Sequence, residues 1–380
     1  MAQCKDILLI LLFCILISCS NSDSSEAKTN SRFATATINA DIVESAKFLA
    51  GKPLSPSSRL FQLTLDKRYV SYVDEIKKSW ERLQKKNIDA IVKWRGENLP
   101  KKYNKTIFYP FSGPDILNAV AFFPDGDDYI MFGLEPCGDI PAPYSLTKEQ
   151  VFSGLWGLRA SLNEILKINY FITNDMKKEV STNEFNSMIS IIMWFLEQLN
   201  YDVINVKNIW IDDYSMVSTM PATTQPNHYI PGAEIYFKDA SGYIRRVRYF
   251  QINVIDNSLL QYTNFIPHLE SYKRFTTIIK SASYLMHNDT KFTKIRDITL
   301  KHSDLILQDD SGIAFKFFSP YEWKFTFFGV YNTPIQVFAN RYQQELKTRF
   351  NALSKGPLPF SYGYNKGTGR SNLMLAERIQ

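Results

Sequence analysis

The sequence predicts a mixed α+β protein, and a change of hydrophobic period carries that expectation. Up to about residue 200, apolar residues recur mostly at three- and four-residue steps, as on amphipathic helices, broken by short apolar runs beside Pro and Gly. From Val203 onward the spacing turns to period two, with turn tetrads between the runs. The expected architecture has helices around a small βαβ core in residues 33–200. Antiparallel hairpins with packing helices follow in residues 201–380, forming either a second domain or one domain with the first half. The chain has 380 residues, of which 45% are hydrophobic and 14% aromatic, so a sizeable core is within reach.

In chain order, Tyr69, Val73, Ile76, Trp80 and Leu83 place a helix within residues 65–99, with a break near Asn87. Thr106-Ile107-Phe108-Tyr109 reads as a buried strand stopped by Pro110. Ser112 is the expected N-cap of the next helix, with Pro114 at its first position, Asp115 in its first turn and residues 116–122 as its body. A turn at residues 124–127 leads into a second strand over 129–132, and two strands around one helix imply parallel pairing. Residues 145–170 form a longer helix. Thr147 and Gln150 make its capping box, and Val151, Leu155, Leu158, Leu162, Ile165 and Leu166 its apolar stripe. Thr182 opens a helix running to 199 that is apolar almost all round, and such helices are buried centrally.

In the second half, strands are expected at 203–211, 233–238 and 243–254, with a hairpin turn at Asp239-Ala240-Ser241-Gly242. A helix over 267–287 follows, then a strand at 304–308, a turn at Asp309-Asp310-Ser311-Gly312 and a strand at 313–318. The two D-x-S-G turns use the residues that tight hairpins need, which accounts for them without an internal duplication. Glu322, Lys324 and Thr326 alternate with Trp323, Phe325 and Phe327, the pattern of a half-buried strand. Pro334 opens a last helix through 353, and residues 371–378 close the chain as a strand.

The net charge of +6 is spread along the chain, which makes no nucleic-acid footprint but allows attraction to acidic surfaces. Among the candidate sites, Glu135 and Asp139 lie just past the second strand of the βαβ unit. Open α/β sheets place ligands there, so these two are the acid/base pair if the protein is a hydrolase. Arg246 and Arg248 share one face of a strand and suit phosphate or carboxylate groups, although a charged edge strand explains them as well. Lys366 and Arg370 sit in a glycine-containing loop that precedes a strand rather than a helix, so the dinucleotide fingerprint lacks its context. Ser112 lies between strand and helix, yet Pro110 and Pro114 stand where a nucleophile elbow needs glycine. His228, His268, His287 and His302 have no zinc-protease spacing and are expected at the surface or at caps. Asp125, Asp127 and Asp128 read as a solvated acidic turn, not matching a calcium loop. No cofactor and no metal is expected.

The N-terminus carries the remaining signal. Lys5 precedes an unbroken apolar run from Ile7 to Ile17, about eleven residues against the roughly 20 a spanning helix needs. Leu16-Ile17-Ser18-Cys19 at its end resembles the lipobox of bacterial lipoprotein signal peptides. That resemblance implies removal of residues 1–18, acylation of Cys19 and attachment to the membrane through the acyl chains. Residues 19–32 would then be a lipidated cysteine and flexible tether. Ser20, where some relatives carry an inner-membrane-retaining Asp, points to the outer membrane. Cys4 and Cys14 leave with the signal, so Cys137 has no disulfide partner within the chain. Residues 109–115, 308–312 and 357–364 resemble a group of bacterial proteins with no assigned activity, so no site residue transfers. The expected function is a lipid-anchored envelope protein acting as a binding or structural module towards an envelope or extracellular ligand.

Overall fold

In a computed structural model, residues 31–168, 185–219, 229–365 and 369–379 are described. Leu16–Cys19, Thr182, His228 and Lys366 lie outside them. The helices before the sheet begin with α1 (Ala40–Leu49), capped by Asn39, the short α2 (Phe61–Thr64), and α3 (Lys67–Leu83), capped by Asp66. A wider π turn over Gln84–Ile88 joins α3 to α4 (Asp89–Asn98), so the chain stays helical through Asn87 where a break was expected. Asn87 is buried there, and its Oδ1 accepts from the Ser361 amide at 2.8 Å.

The strand–helix–strand unit is present as β1 (Thr106–Tyr109), α5 (Ile116–Phe122) and β2 (Asp128–Gly133), with β1 and β2 parallel. Its helix occupies the expected residues, Ile116–Phe122, but Pro114 lies before its first turn. The N-cap is Asp115, whose Oδ1 accepts from the Asn118 amide, and not Ser112. α6 (Lys148–Ile168) has the expected capping box, Thr147 and Gln150 each bonding the other's backbone N–H. α7 (Met188–Gln198) is capped by Ser187 and buried from Met188 to Glu197.

Then come β3 (Asp202–Ile211), the two-residue β4 (Val217–Ser218), β5 (Ile230–Lys238) and β6 (Ile244–Gln251). The helix expected over 267–287 is corrected. Only α8 (Phe265–Glu270) is helical at its start, and Phe275–Ile279 is a strand, β7. Its β-branched run Thr276-Thr277-Ile278-Ile279 is buried on both faces, as in a central parallel strand. α9 (Thr293–His302) and β8 (Ser303–Gln308) follow. Residues 313–318 are not a strand: Phe315–Phe317 form a 3-10 turn, and β8 pairs with the last strand, so Asp309–Gly312 closes no hairpin. β9 (Trp323–Gly329) is the alternating strand. The last helix divides into a 3-10 segment, Gln336–Arg341, and α10 (Gln344–Leu353), before β10 (Asn372–Arg378).

Among the described residues, ten strands form one sheet in the order β4-β3-β5-β6-β2-β1-β7-β8-β10-β9. The mixed α+β class stands, but the sheet runs through both halves of the chain. The N-terminal pair β1–β2 sits at its centre, flanked by C-terminal strands. The five strands β6, β2, β1, β7 and β8 are mutually parallel, so the C-terminal half is not purely antiparallel. Alternate side chains of the central strands feed opposite cores. Ile107, Tyr109, Tyr129 and Met131 pack with α1 and α3 to α7, whereas Phe108, Ile130 and Phe132 pack with α8, α9 and α10. The result is a three-layer α/β/α arrangement.

Candidate functional site

Five parallel strands end on the same edge of this sheet, and their connections leave it on different faces. β1 and β2 continue into α5 and α6 on one face; β6 and β7 continue into α8 and α9 on the other. β1 therefore neighbours β7, and β2 neighbours β6, at two points where the direction of crossover switches. Divergent loops at such points leave a crevice at the carboxyl ends of the strands. A cavity of about 580 Å³ opens there, within the range of small-molecule sites.

Its walls come from the residues that follow each strand. Phe111 to Gly113 and Asp115 follow β1, Leu134 and Glu135 follow β2, Ile252 to Val254 follow β6, and Lys280 to Ser283 follow β7. Phe292, Ile335, Val337, Phe338 and Tyr364 complete an aromatic and aliphatic lining.

The polar floor is built around Asp115. Lys280 Nζ donates to its Oδ2 at 2.9 Å, and both side chains are almost fully buried. Tyr109 donates its hydroxyl to the same oxygen at 2.9 Å, and Asn118 Nδ2 bonds both carboxylate oxygens at 2.9 and 3.0 Å. Asp115 is thus saturated with donors. Burial first, then the charge of Asp115, pushes the Tyr109 phenol well above its ordinary value, so it serves as a fixed donor.

Glu135 is different. It is 4% exposed, and its side chain has one polar contact among the described residues, the Tyr249 hydroxyl at a long 3.5 Å from Oε2. The same hydroxyl donates more closely, at 2.9 Å, to the Glu135 carbonyl. Gly133 makes room for this arrangement, because a Cβ there would come within 2.5 Å of Glu135 Oε2 and 2.8 Å of the Tyr249 hydroxyl.

Backbone strain concentrates around the cavity. Phe111, Ser281 and Ser283 line it with left-handed φ of 57°, 51° and 52°, and Tyr284 in the same loop has 55°. Each costs about 1–3 kcal/mol in a non-glycine residue and persists only when the surroundings over-determine it. Here the loop after β8 and Tyr364 supply those restraints. The Ser281 amide donates to Asp309 Oδ2, the Ala282 amide to Ser311 Oγ, and the Tyr284 hydroxyl to Asp310 Oδ2. Tyr364 donates its hydroxyl to the Ser281 carbonyl at 2.7 Å and accepts from the Ser283 amide at 3.0 Å. Gly363, at φ +72°, lets the chain approach so closely that a Cβ would collide with Asp309 Oδ2.

Of the candidates from the sequence, Glu135 lines this cavity, whereas Asp139 is exposed outside its lining, so the structure does not assemble them as an acid/base pair. Arg246 and Arg248 are elsewhere. β6 is an interior strand, and Arg246 binds Asp128 through Nε at 3.0 Å and Glu234 at 3.3 Å, while Arg248 bonds Glu234 at 2.8 Å and Tyr272 at 2.9 Å. Both the edge-strand reading and a free anion grip are therefore corrected: these arginines neutralise buried carboxylates. Asp128, expected in a solvated turn, is fully buried in that network. Arg370 is exposed and does not line the cavity. His268 and His287 are buried rather than superficial, and burial lowers each to about 4; His302 Nδ1 lies 2.7 Å from the Lys273 carbonyl. Cys137 is a buried thiol, which burial pushes up to about 12. No group of His, Cys, Asp or Glu among the described residues is arranged to hold a metal ion.

Asp115, Lys280, Tyr109 and the Ser281–Leu285 loop were missed as site residues. A strand over Phe275–Ile279 was the available signal, since it would have put Lys280 at the carboxyl end of a parallel strand. No protein-family model, curated protein or solved structure matches this chain.

Proposed function

We propose that the protein is a lipid-anchored envelope protein that binds a small, largely apolar ligand in the cavity at the carboxyl edge of its sheet. The observation that carries the binding role is the cavity itself. It lies across two switch points of the sheet and combines aromatic walls with a small set of oriented polar groups, the usual composition of a ligand site. The strained Ser281–Tyr284 loop, held by the loop after β8 and by Tyr364, supports the same reading.

N-Phenyl-1-naphthylamine, an uncharged apolar fluorophore, tests the binding role. The probe is expected to bind with one-to-one stoichiometry and enhanced emission. Leu134 and Val337 stand at the mouth of the cavity, 43% and 79% exposed, where a larger side chain narrows access without disturbing the core. Leu134→Trp and Val337→Trp should each weaken the probe by about tenfold or more, some 1.4 kcal/mol. Unchanged affinity in both variants would place the probe elsewhere and remove this reading.

The anchor rests on Leu16-Ile17-Ser18-Cys19 and the short apolar run before it. Among the described residues no helix is long and apolar enough to cross a membrane. Acyl chains contribute about 0.8 kcal/mol per buried CH₂, so two or three of them hold a protein stably. Cys19→Ala is expected to move the protein from the membrane to the soluble fraction. Continued membrane association of wild-type protein that carries no acyl label would contradict the anchor.

A further inference from the structure

We infer that the ligand of this cavity carries a cationic amine and that Glu135 is its counter-ion, an inference that rests on the cavity being a binding site. Among the described residues three charged side chains line the cavity: Asp115, Lys280 and Glu135. Asp115 and Lys280 neutralise each other at 2.9 Å, and the oxygens of Asp115 are already occupied by Tyr109 and Asn118 as well. Glu135 forms no ion pair with any described Lys or Arg, and its one side-chain partner, Tyr249, is a neutral hydroxyl at 3.5 Å. Glu135 is therefore, among the described residues, the lining carboxyl group without an ion-pair partner, next to an apolar space.

A buried carboxylate without a partner is costly, and a charge-assisted hydrogen bond from an ammonium group offsets that cost. The walls favour the same class of ligand. Phe111, Phe132, Phe292, Phe338 and Tyr364 surround the cavity, and aromatic faces attract a cation through the ring quadrupole. Among the described residues an anionic ligand finds no equivalent partner: the one ammonium they bring to the lining is Lys280, whose charge is already matched by Asp115, and Glu135 would repel such a ligand. The geometry thus selects an amine with an apolar body over the corresponding alcohol or acid.

Isothermal titration of the protein with octylamine, 1-octanol and octanoate separates these three chemistries on one alkyl chain. Octylamine is expected to bind about tenfold or more tighter than 1-octanol, and octanoate weakest of the three. Glu135→Gln should remove most of the amine's advantage over the alcohol, and Glu135→Asp should retain part of it. Equal binding of amine and alcohol, tighter binding of octanoate, or an amine preference that survives in Glu135→Gln would overturn the inference. If 1-octanol or N-phenyl-1-naphthylamine binds and Leu134→Trp blocks it while the amine gains nothing, only the charge assignment fails. If neither those probes nor octylamine binds, the binding site itself is refuted and the amine falls with it.

Discussion

Asp115→Ala is expected to destabilise the protein by about 3–5 kcal/mol, the cost of removing one member of a buried ion pair. Lys280, 3% exposed, would be left with no carboxylate beside it, and Tyr109 and the Asn118 side chain would each lose an acceptor. The N-cap of α5 would go as well, since Asp115 Oδ1 accepts from the Asn118 amide. The penalty comes mainly from the stranded ammonium, so removing that charge too should restore stability. In an Asp115→Ala, Lys280→Met double variant the loss should be clearly smaller than in the single variant, an interaction that a double-mutant cycle measures directly. Urea unfolding of the four proteins checks this. A single-variant loss below about 1 kcal/mol, typical of exposed pairs, would mean the floor of the cavity is wetter than its burial indicates.

Asp309 should make stability fall as pH rises through neutrality. Burial, then the charge of neighbouring Asp310, pushes its carboxyl up to about 7, and burial raises Asp310 also. Folding therefore strengthens the hold of Asp309 on its proton. The resulting stabilisation is fully present below the ordinary carboxyl value near 4, and is lost as pH rises through about 7. Glu197, raised by burial to about 7, has the same sign. His268 and His287 act in the opposite direction. Burial lowers both to about 4, so their contribution is present above about 6.5 and is lost as pH falls through about 4.

Comparison with Asp309→Asn cancels Glu197, His268 and His287 and leaves the difference to the buried Asp309–Asp310 pair. Between about pH 5 and pH 8, wild type should lose several kcal/mol of stability relative to the variant. A difference that does not change with pH would show that Asp309 is ionised throughout. Because Asp309 Oδ2 accepts from the Ser281 amide, the same ionisation bears on the strained loop of the cavity.

How much of this was legible in the sequence follows from how local each feature is. The β1–α5–β2 unit, the Thr147–Gln150 capping box and the alternation in β9 are written within a few consecutive residues, and all are present. β7 was hidden because five apolar and β-branched residues buried on both faces show no period, so they merge with a helical pattern on either side. The arginines of β6 look like a solvated edge until Asp128 is set opposite them, 118 residues away in the chain. Glu135 could be singled out by its place after a strand of the βαβ unit. Its distinction from Asp115 could not, because that depends on Lys280, which lies 165 residues from Asp115.

Hydrogen exchange of the protein with and without N-phenyl-1-naphthylamine tests most directly whether the cavity at the carboxyl edge is the binding site. Bound probe should slow exchange at amides of the loops after β1, β2 and β7, around Phe111, Leu134 and the Ser281–Leu285 segment. A second, smaller groove of about 220 Å³ lies between α3 and α6, lined by Glu75, Ser79, Arg82 and Arg159. Protection confined to that groove, with the loops at the sheet edge unchanged, would contradict the site proposed for this fold.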